Sequence, residues 1–195
     1  AADRSMSSTD EELMLRFQDR GDLPAFDELF RRHKDGFVAF LANLAGDRAI
    51  AEDVSQQVWL KLIDVARRGG YQRRARFRTY LYTIGRNAFL DEYRRKHANT
   101  RSDPLIEAEH VDGDDAATAE GGALALVRSD VLARALSGLP LEQREVLALW
   151  AAGHSIETMA EVTGAPRDTV LSRRKYGLRK LRAALGAAGI EQGDL

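Results

Sequence analysis

The chain has 195 residues, 44% hydrophobic and 30% charged, with a formal net charge of −1. That length suits one medium domain or two small ones, and the apolar content excludes a disordered chain. There are no cysteines, which excludes a disulfide scaffold and any Cys-ligated metal site, and no apolar run approaches the ~18 residues of a membrane span.

Residues 1–5, AADRS, precede Met6 and read as an expression scar outside the fold. No signal peptide is visible, so the expected compartment is the cytoplasm. The rest reads as helix almost throughout, because Ala, Leu, Arg and Glu dominate and no sustained period-2 run of β-branched residues occurs. The first helix begins at STDEELMLRF, where Thr9 and Glu12 have capping-box spacing and Leu13 and Phe17 follow helical period. A second starts near Pro24 and carries Phe26, Leu29, Phe30, Phe37, Phe40 and Leu41. A third, DRAIAEDVSQQVWLKLIDVARRGG, is closed by Gly69 and Gly70, and a fourth is RFRTYLYTIGRNAFLDEYRRKH.

The texture then changes. Residues 101–122 hold seven acids against one Arg and lack helical periodicity, the composition of a solvated acidic linker. Helical pattern returns from about Ala123, through PLEQREVLALWAAG with Pro140 near its start and Gly153 after its end. SIETMAEV follows, capped by Ser155. The expected architecture is all-α: a helical bundle over 9–98, a linker over 99–122, a second small bundle over 123–185, and a tail over 186–195.

Residues 165–182 concentrate seven Lys or Arg against one Asp in a chain of balanced charge. Ala160, Gly164 and Val170 fit a helix-turn-helix: a small residue at the crossing, Gly in the turn, an apolar anchor in the second helix. On the helical wheel Val170, Leu178, Leu181 and Leu185 share one arc. Asp168, Thr169, Ser172, Arg173, Tyr176 and Arg179 fall on the other side, and Arg167 at the helix start joins them as a candidate −35 contact. An apolar back and a cationic front suit the major groove of duplex DNA, although a solvated basic helix face has the same composition.

The fourth helix carries a second polar face. Phe77, Leu81, Ile84, Gly85 and Ala88 form its apolar arc, extended by Tyr82, Phe89 and Tyr93. Arg76, Tyr80, Thr83, Asn87, Asp91 and Arg94 gather opposite. An aromatic ring, an amide and cations on one face fit single-stranded nucleic acid, where rings stack bases and arginines hold the backbone. The preceding YQRRARF holds three arginines, Arg73, Arg74 and Arg76.

Three stretches, AEDVSQQVWLKL, FRTYLYTIGRNAFLDEYRRK and LSGLPLEQREVLALWAAGHSIETMAEVTGAPRDTVLSRRKYGLRKLR, resemble in order and separation the extracytoplasmic-function group of bacterial sigma factors. The resemblance implies a sigma-2-like bundle that binds core RNA polymerase and opens the promoter at the −10 element. It implies a sigma-4-like bundle that reads the −35 element, with the acidic linker along the polymerase's RNA exit path. Asp53, Gln56 and Gln57 match the family's core-binding positions, and Tyr80, Arg86 and Asn87 match its −10 positions. Core polymerase, promoter DNA and an anti-sigma factor are the implied partners. The chain departs from the family's usual pattern at Tyr80, Thr158, Met159, Arg167, Asp168 and Arg174.

Two other classes compete. A stand-alone helix-turn-helix regulator explains residues 154–182 but gives the TYLYTIGRN face no role. An enzyme is not supported: His33, His97, His110 and His154 lack metal-ligand spacing, and no P-loop, nucleophile elbow or Gly-rich cofactor turn occurs. No cofactor, metal or membrane insertion is expected.

Overall fold

The structure, a computed structural model, describes residues 8–98 and 131–187. The expected linker over 99–122, the start of the second bundle over 123–130, most of the tail and the AADRS segment lie outside the described residues. Within them the chain is helical, as expected: α1 (Asp10–Arg20), α2 (Leu23–Ala45), α3 (Arg48–Arg67), α4 (Phe77–Ala98), α5 (131–137), α6 (Leu141–Ala151), α7 (Ile156–Thr163) and α8 (Arg167–Ala187).

The helix ends follow local chemistry. Thr9 and Glu12 close a reciprocal capping box on α1, with N–H···O distances of 2.9 and 3.2 Å. Asp22 and Asp47 cap α2 and α3 by accepting from Ala25 and Ile50, and Ser155 caps α7 through the Thr158 amide. The start of α4 is satisfied from another helix: the Phe77 amide donates to Glu11 Oε1 of α1 at 2.7 Å. That bond fixes where α4 emerges.

The first four helices enclose an aromatic core in which Phe37 touches Phe40, Trp59 and Tyr82, with ring centroids 5.6–6.4 Å apart. Gly85 lets α4 approach α2, because a Cβ there would stand 2.5 Å from the Phe37 ring. In the second half Leu136, Leu139 and Leu147 form a small cluster backed by Leu132, Leu178 and Leu181. Gly177 brings α8 close to α6, its Cβ position 3.1 Å from Leu147.

The two halves are packed on each other, an arrangement their composition did not announce. The core runs unbroken from Phe37, Leu81 and Tyr82 into Val146, Leu149, Met159 and Val170. Arg144, only 6% exposed, donates to the Leu44 carbonyl at the end of α2 (3.2 Å) and to the Ser137 and Leu139 carbonyls of its own half. Arg78 of α4 donates in return to the Ala152 carbonyl at the end of α6. Arg86 pairs with Glu145 at 3.1 Å.

Candidate nucleic-acid interface

The helix-turn-helix forms as the spacing predicts. Gly164 adopts φ +68° and ends α7, a left-handed turn that an L side chain rarely adopts. Val170 is fully buried, Leu185 is buried, and Leu178 and Leu181 are half-buried. The opposite side of α8 is open: Arg167, Asp168, Ser172, Tyr176 and Arg179 are exposed, while Thr169 and Arg173 are half-buried. Arg179 lies over the Tyr176 ring at 5.0 Å, a cation–π pair that stiffens both side chains. Arg167 pairs with Glu157 at 3.5 Å, so the Arg at the start of α8 is tethered to α7.

On α4 the predicted face divides into two stripes. Tyr80, Thr83, Asn87 and Arg94 form one, with Asn87 and Arg94 exposed and Arg76 exposed at its root. Tyr80 is half-buried, its ring 5.5 Å from that of Tyr71, and burial raises both phenols, that of Tyr71 to about 12. Both phenols are neutral at neutral pH, and of the two rings Tyr80 is the one partly open, Tyr71 being buried beneath it. The Thr83 hydroxyl donates to the Thr79 carbonyl of its own helix at 2.8 Å, which leaves its oxygen only as an acceptor. The second stripe, Arg78, Tyr82 and Arg86, faces the other half of the molecule. Arg86, expected on the nucleic-acid face, is engaged with Glu145 and also donates to Asn87 Oδ1 at 3.3 Å.

Tyr82 packs on His154, with ring centroids 4.3 Å apart. Burial, and then the nearby Arg78 charge, lowers the His154 imidazole to about 4. Neutral His154 acts as an aromatic wedge between the halves. His33 pairs with Asp10 at 2.7 Å. No group of three metal-ligating side chains converges among the described residues, and no described helix is long and apolar enough to cross a membrane.

Two further features are clearer in three dimensions. The loop before α4 places Arg73, Arg74 and Arg76 around an open cleft of about 750 Å³ that Arg32 of α2 and Arg78 of α4 also line. YQRRARF signalled the charge, but Arg32 joins it only through the fold. On α3, Asp53, Gln56 and Gln57 are exposed on one edge, with Gln57 donating to Asp53 at 2.9 Å. Beside Gln56 runs an apolar groove of about 400 Å³ lined by Phe26, Phe30, Trp59, Leu60 and Ile63. Leu60 is 57% exposed, unusual for an unpartnered leucine beside other apolar surface.

Residues 29–99 match the family model described as Sigma-70 region 2. An ECF RNA polymerase sigma factor EcfG from Rhodopseudomonas palustris is 32% identical over 156 residues, 78% of this chain and 81% of that protein. RNA polymerase sigma factor CarQ of Myxococcus xanthus is 32% identical over 183 residues, 91% of this chain and 98% of that protein. Among solved structures, CnrH in complex with the cytosolic domain of CnrY gives a TM-score of 0.64 at 23% identity, covering 90% of this chain and 96% of that one. Sigma factor RpoE in complex with the anti-sigma factor NepR from Bartonella quintana gives 0.65 at 22%, covering 83% and 96%. At those identities the two structures establish a shared fold.

Proposed function

This chain belongs to the extracytoplasmic-function family of RNA polymerase sigma factors, and from that premise we propose how its helices divide the work. As a sigma factor it directs core RNA polymerase to promoters. The α8 front reads the −35 duplex: Arg173, Tyr176 and Arg179 reach the groove, with Arg167, Asp168, Thr169 and Ser172 flanking them. The α4 stripe takes the unwound −10 strand. Tyr80 offers a ring face, Asn87 an amide for a base edge, and Arg76, Arg86 and Arg94 charge for phosphates, with Thr83 between them. The Asp53–Gln56–Gln57 edge and its apolar groove dock core polymerase.

The observation that carries this reading is the pairing, in one chain, of the exposed α4 stripe with an open helix-turn-helix face. A stand-alone regulator needs only the second. The polymerase supplies the covalent chemistry, and this chain supplies binding energy against the few kcal/mol lost for each unstacked base. An anti-sigma factor is a further proposed partner, supported by the fold shared with RpoE, whose solved structure holds one. The compartment proposed with these partners is the cytoplasm.

Run-off transcription with purified core polymerase on a promoter library tests the reading. Promoter-specific transcripts are the expected result. Failure to bind core enzyme, or binding that never starts a transcript, refutes it. Tight binding of promoter duplex without polymerase points instead to a stand-alone regulator.

A further inference from the structure

We infer that α1 is the splint of the −10 reader: Glu11 and Gln18 are positioning residues that fix the arginine loop and, through Tyr71, the Tyr80 ring. The inference rests on the assignment of Arg76 and Tyr80 to the −10 strand. Gln18 grips the main chain of Tyr71 at both of its polar groups, accepting from the amide at 2.8 Å and donating to the carbonyl at 3.4 Å. Glu11 accepts from the Phe77 amide at 2.7 Å, where α4 begins. Glu11, Met14 and Gln18 stand at positions i, i+3 and i+7, one face of a helix. Met14, between the two polar grips, is fully buried, so that face is turned to the core. The splint is itself anchored: Arg32 of α2 donates to the Ser8 carbonyl at 2.8 Å and to Asp10 at 3.0 Å, and His33 pairs with Asp10.

The loop has little else to hold it. Residues 72–76 are all exposed, so packing contributes little between the two grips. Its one internal backbone bond among the described residues joins the Arg74 amide to the Gln72 carbonyl at 2.7 Å. Arg73, Arg74 and Arg76 have no carboxylate partner among the described residues, and three like charges so close along the chain repel one another. The span from Tyr71 to Phe77 can extend to about 20 Å, yet its ends are held by side chains rooted two helical turns apart, about 10 Å. The chain between them therefore arches outward with the arginines on its crest. Tyr71 carries the effect onward to α4. Its hydroxyl is buried with no hydrogen-bond partner in the protein, so its place is set by the Gln18 bonds and by ring contacts with Phe77 at 6.3 Å and Tyr80 at 5.5 Å. A loop and a ring ordered before the strand arrives lose less freedom on capturing it, which favours promoter opening.

Two leucine substitutions test this, with native-state proteolysis and promoter opening read in parallel. Gln18→Leu and Glu11→Leu keep side-chain bulk and remove the bonds to the loop, while Glu11→Gln keeps an accepting oxygen and serves as the rescue. Trypsin cuts after arginine, so cleavage of the full chain at Arg73, Arg74 and Arg76, identified by mass spectrometry, reports on the freedom of the loop. Each leucine variant is expected to be cut there about fivefold faster than the parent or more, and Glu11→Gln within about twofold of it. With core polymerase, the rate at which promoter thymines become reactive to permanganate is expected to fall about fivefold or more in the leucine variants. Their affinity for core enzyme stays within about twofold of the parent's, and Glu11→Gln opens promoters at the parental rate. Unchanged cutting of the loop in both leucine variants overturns the inference, as does parental opening by a loop that is cut faster. Opening and core binding that fall in step mark a general loss of the fold and overturn the positioning role as well. Absence of transcripts from the parent sinks the sigma assignment instead, and the proteolysis then still decides whether α1 fixes the loop.

Discussion

Replacing Gly85 by Ala sets two known effects against each other in the helix that carries the −10 face. Ala is the better helix former by about 1 kcal/mol, so on local grounds the change stabilises α4. The tertiary structure opposes it. The new methyl would stand 2.5 Å from Phe37 Cε2 and Cζ, so the ring must retreat by about an ångström to reach ordinary contact. It has little room to do so, since Phe37 is fully buried and abuts Phe40, Trp59 and Tyr82. Overpacking of this kind costs about 1–3 kcal/mol, and a ring enclosed on three sides belongs at the upper end. The net expectation is a loss of about 2 kcal/mol, or a Tm lower by roughly 4–8 °C for a chain of this size. Thermal unfolding followed by circular dichroism measures it. A Tm equal to or above the parent's means that the ring yields freely, and the argument that Gly85 sets the α2–α4 approach fails.

Asn87→Ala is expected to impair promoter opening while leaving binding to core polymerase intact, and permanganate footprints of parental intensity refute its −10 role. Arg173→Ala is expected to weaken −35 duplex binding by about 1–3 kcal/mol if the guanidinium reads a base; an unchanged −35 preference in run-off assays removes it from the interface. His154 supplies a pH dependence. Its folded value of about 4 lies below the 6.5 of an unfolded histidine, so the unfolded chain takes up a proton that the folded chain refuses. This contribution to stability is full above pH 6.5 and is lost as pH falls toward 4, by up to about 1.4 kcal/mol per pH unit. Unfolding titrations across that window should show a slope shallower by up to one proton in His154→Gln, and identical slopes in the two proteins contradict a buried neutral imidazole.

Much of this protein is local enough to be legible in its residues. Thr9 with Glu12, Ser155 and Gly164 act within one helical turn, so their roles follow from spacing alone. The apolar spine of α8 and its exposed front follow from a period of 3.6 residues, and the buried Val170 and open Arg179 agree with it. The separation of two helical segments by an acidic stretch is equally a matter of composition.

Periodicity assigns a residue to a face but does not say what that face meets. Arg86 is a −10 candidate only by family resemblance, yet its partner Glu145 lies 59 residues away, and no pattern along the chain links them. Arg144 reads as an ordinary surface arginine inside PLEQREVLALW, and its burial against the Leu44 carbonyl exists only because α6 crosses the end of α2. Arg32 likewise joins the loop arginines across one cleft. Which segments form helices and which of their sides are apolar can be read along the chain, because those properties depend on neighbours within a turn or two. Which side confronts which, and so which cations are open to nucleic acid and which are spent on the protein, was decided by tertiary packing. There shape and the demand of buried carbonyls for donors select partners without regard to distance along the chain.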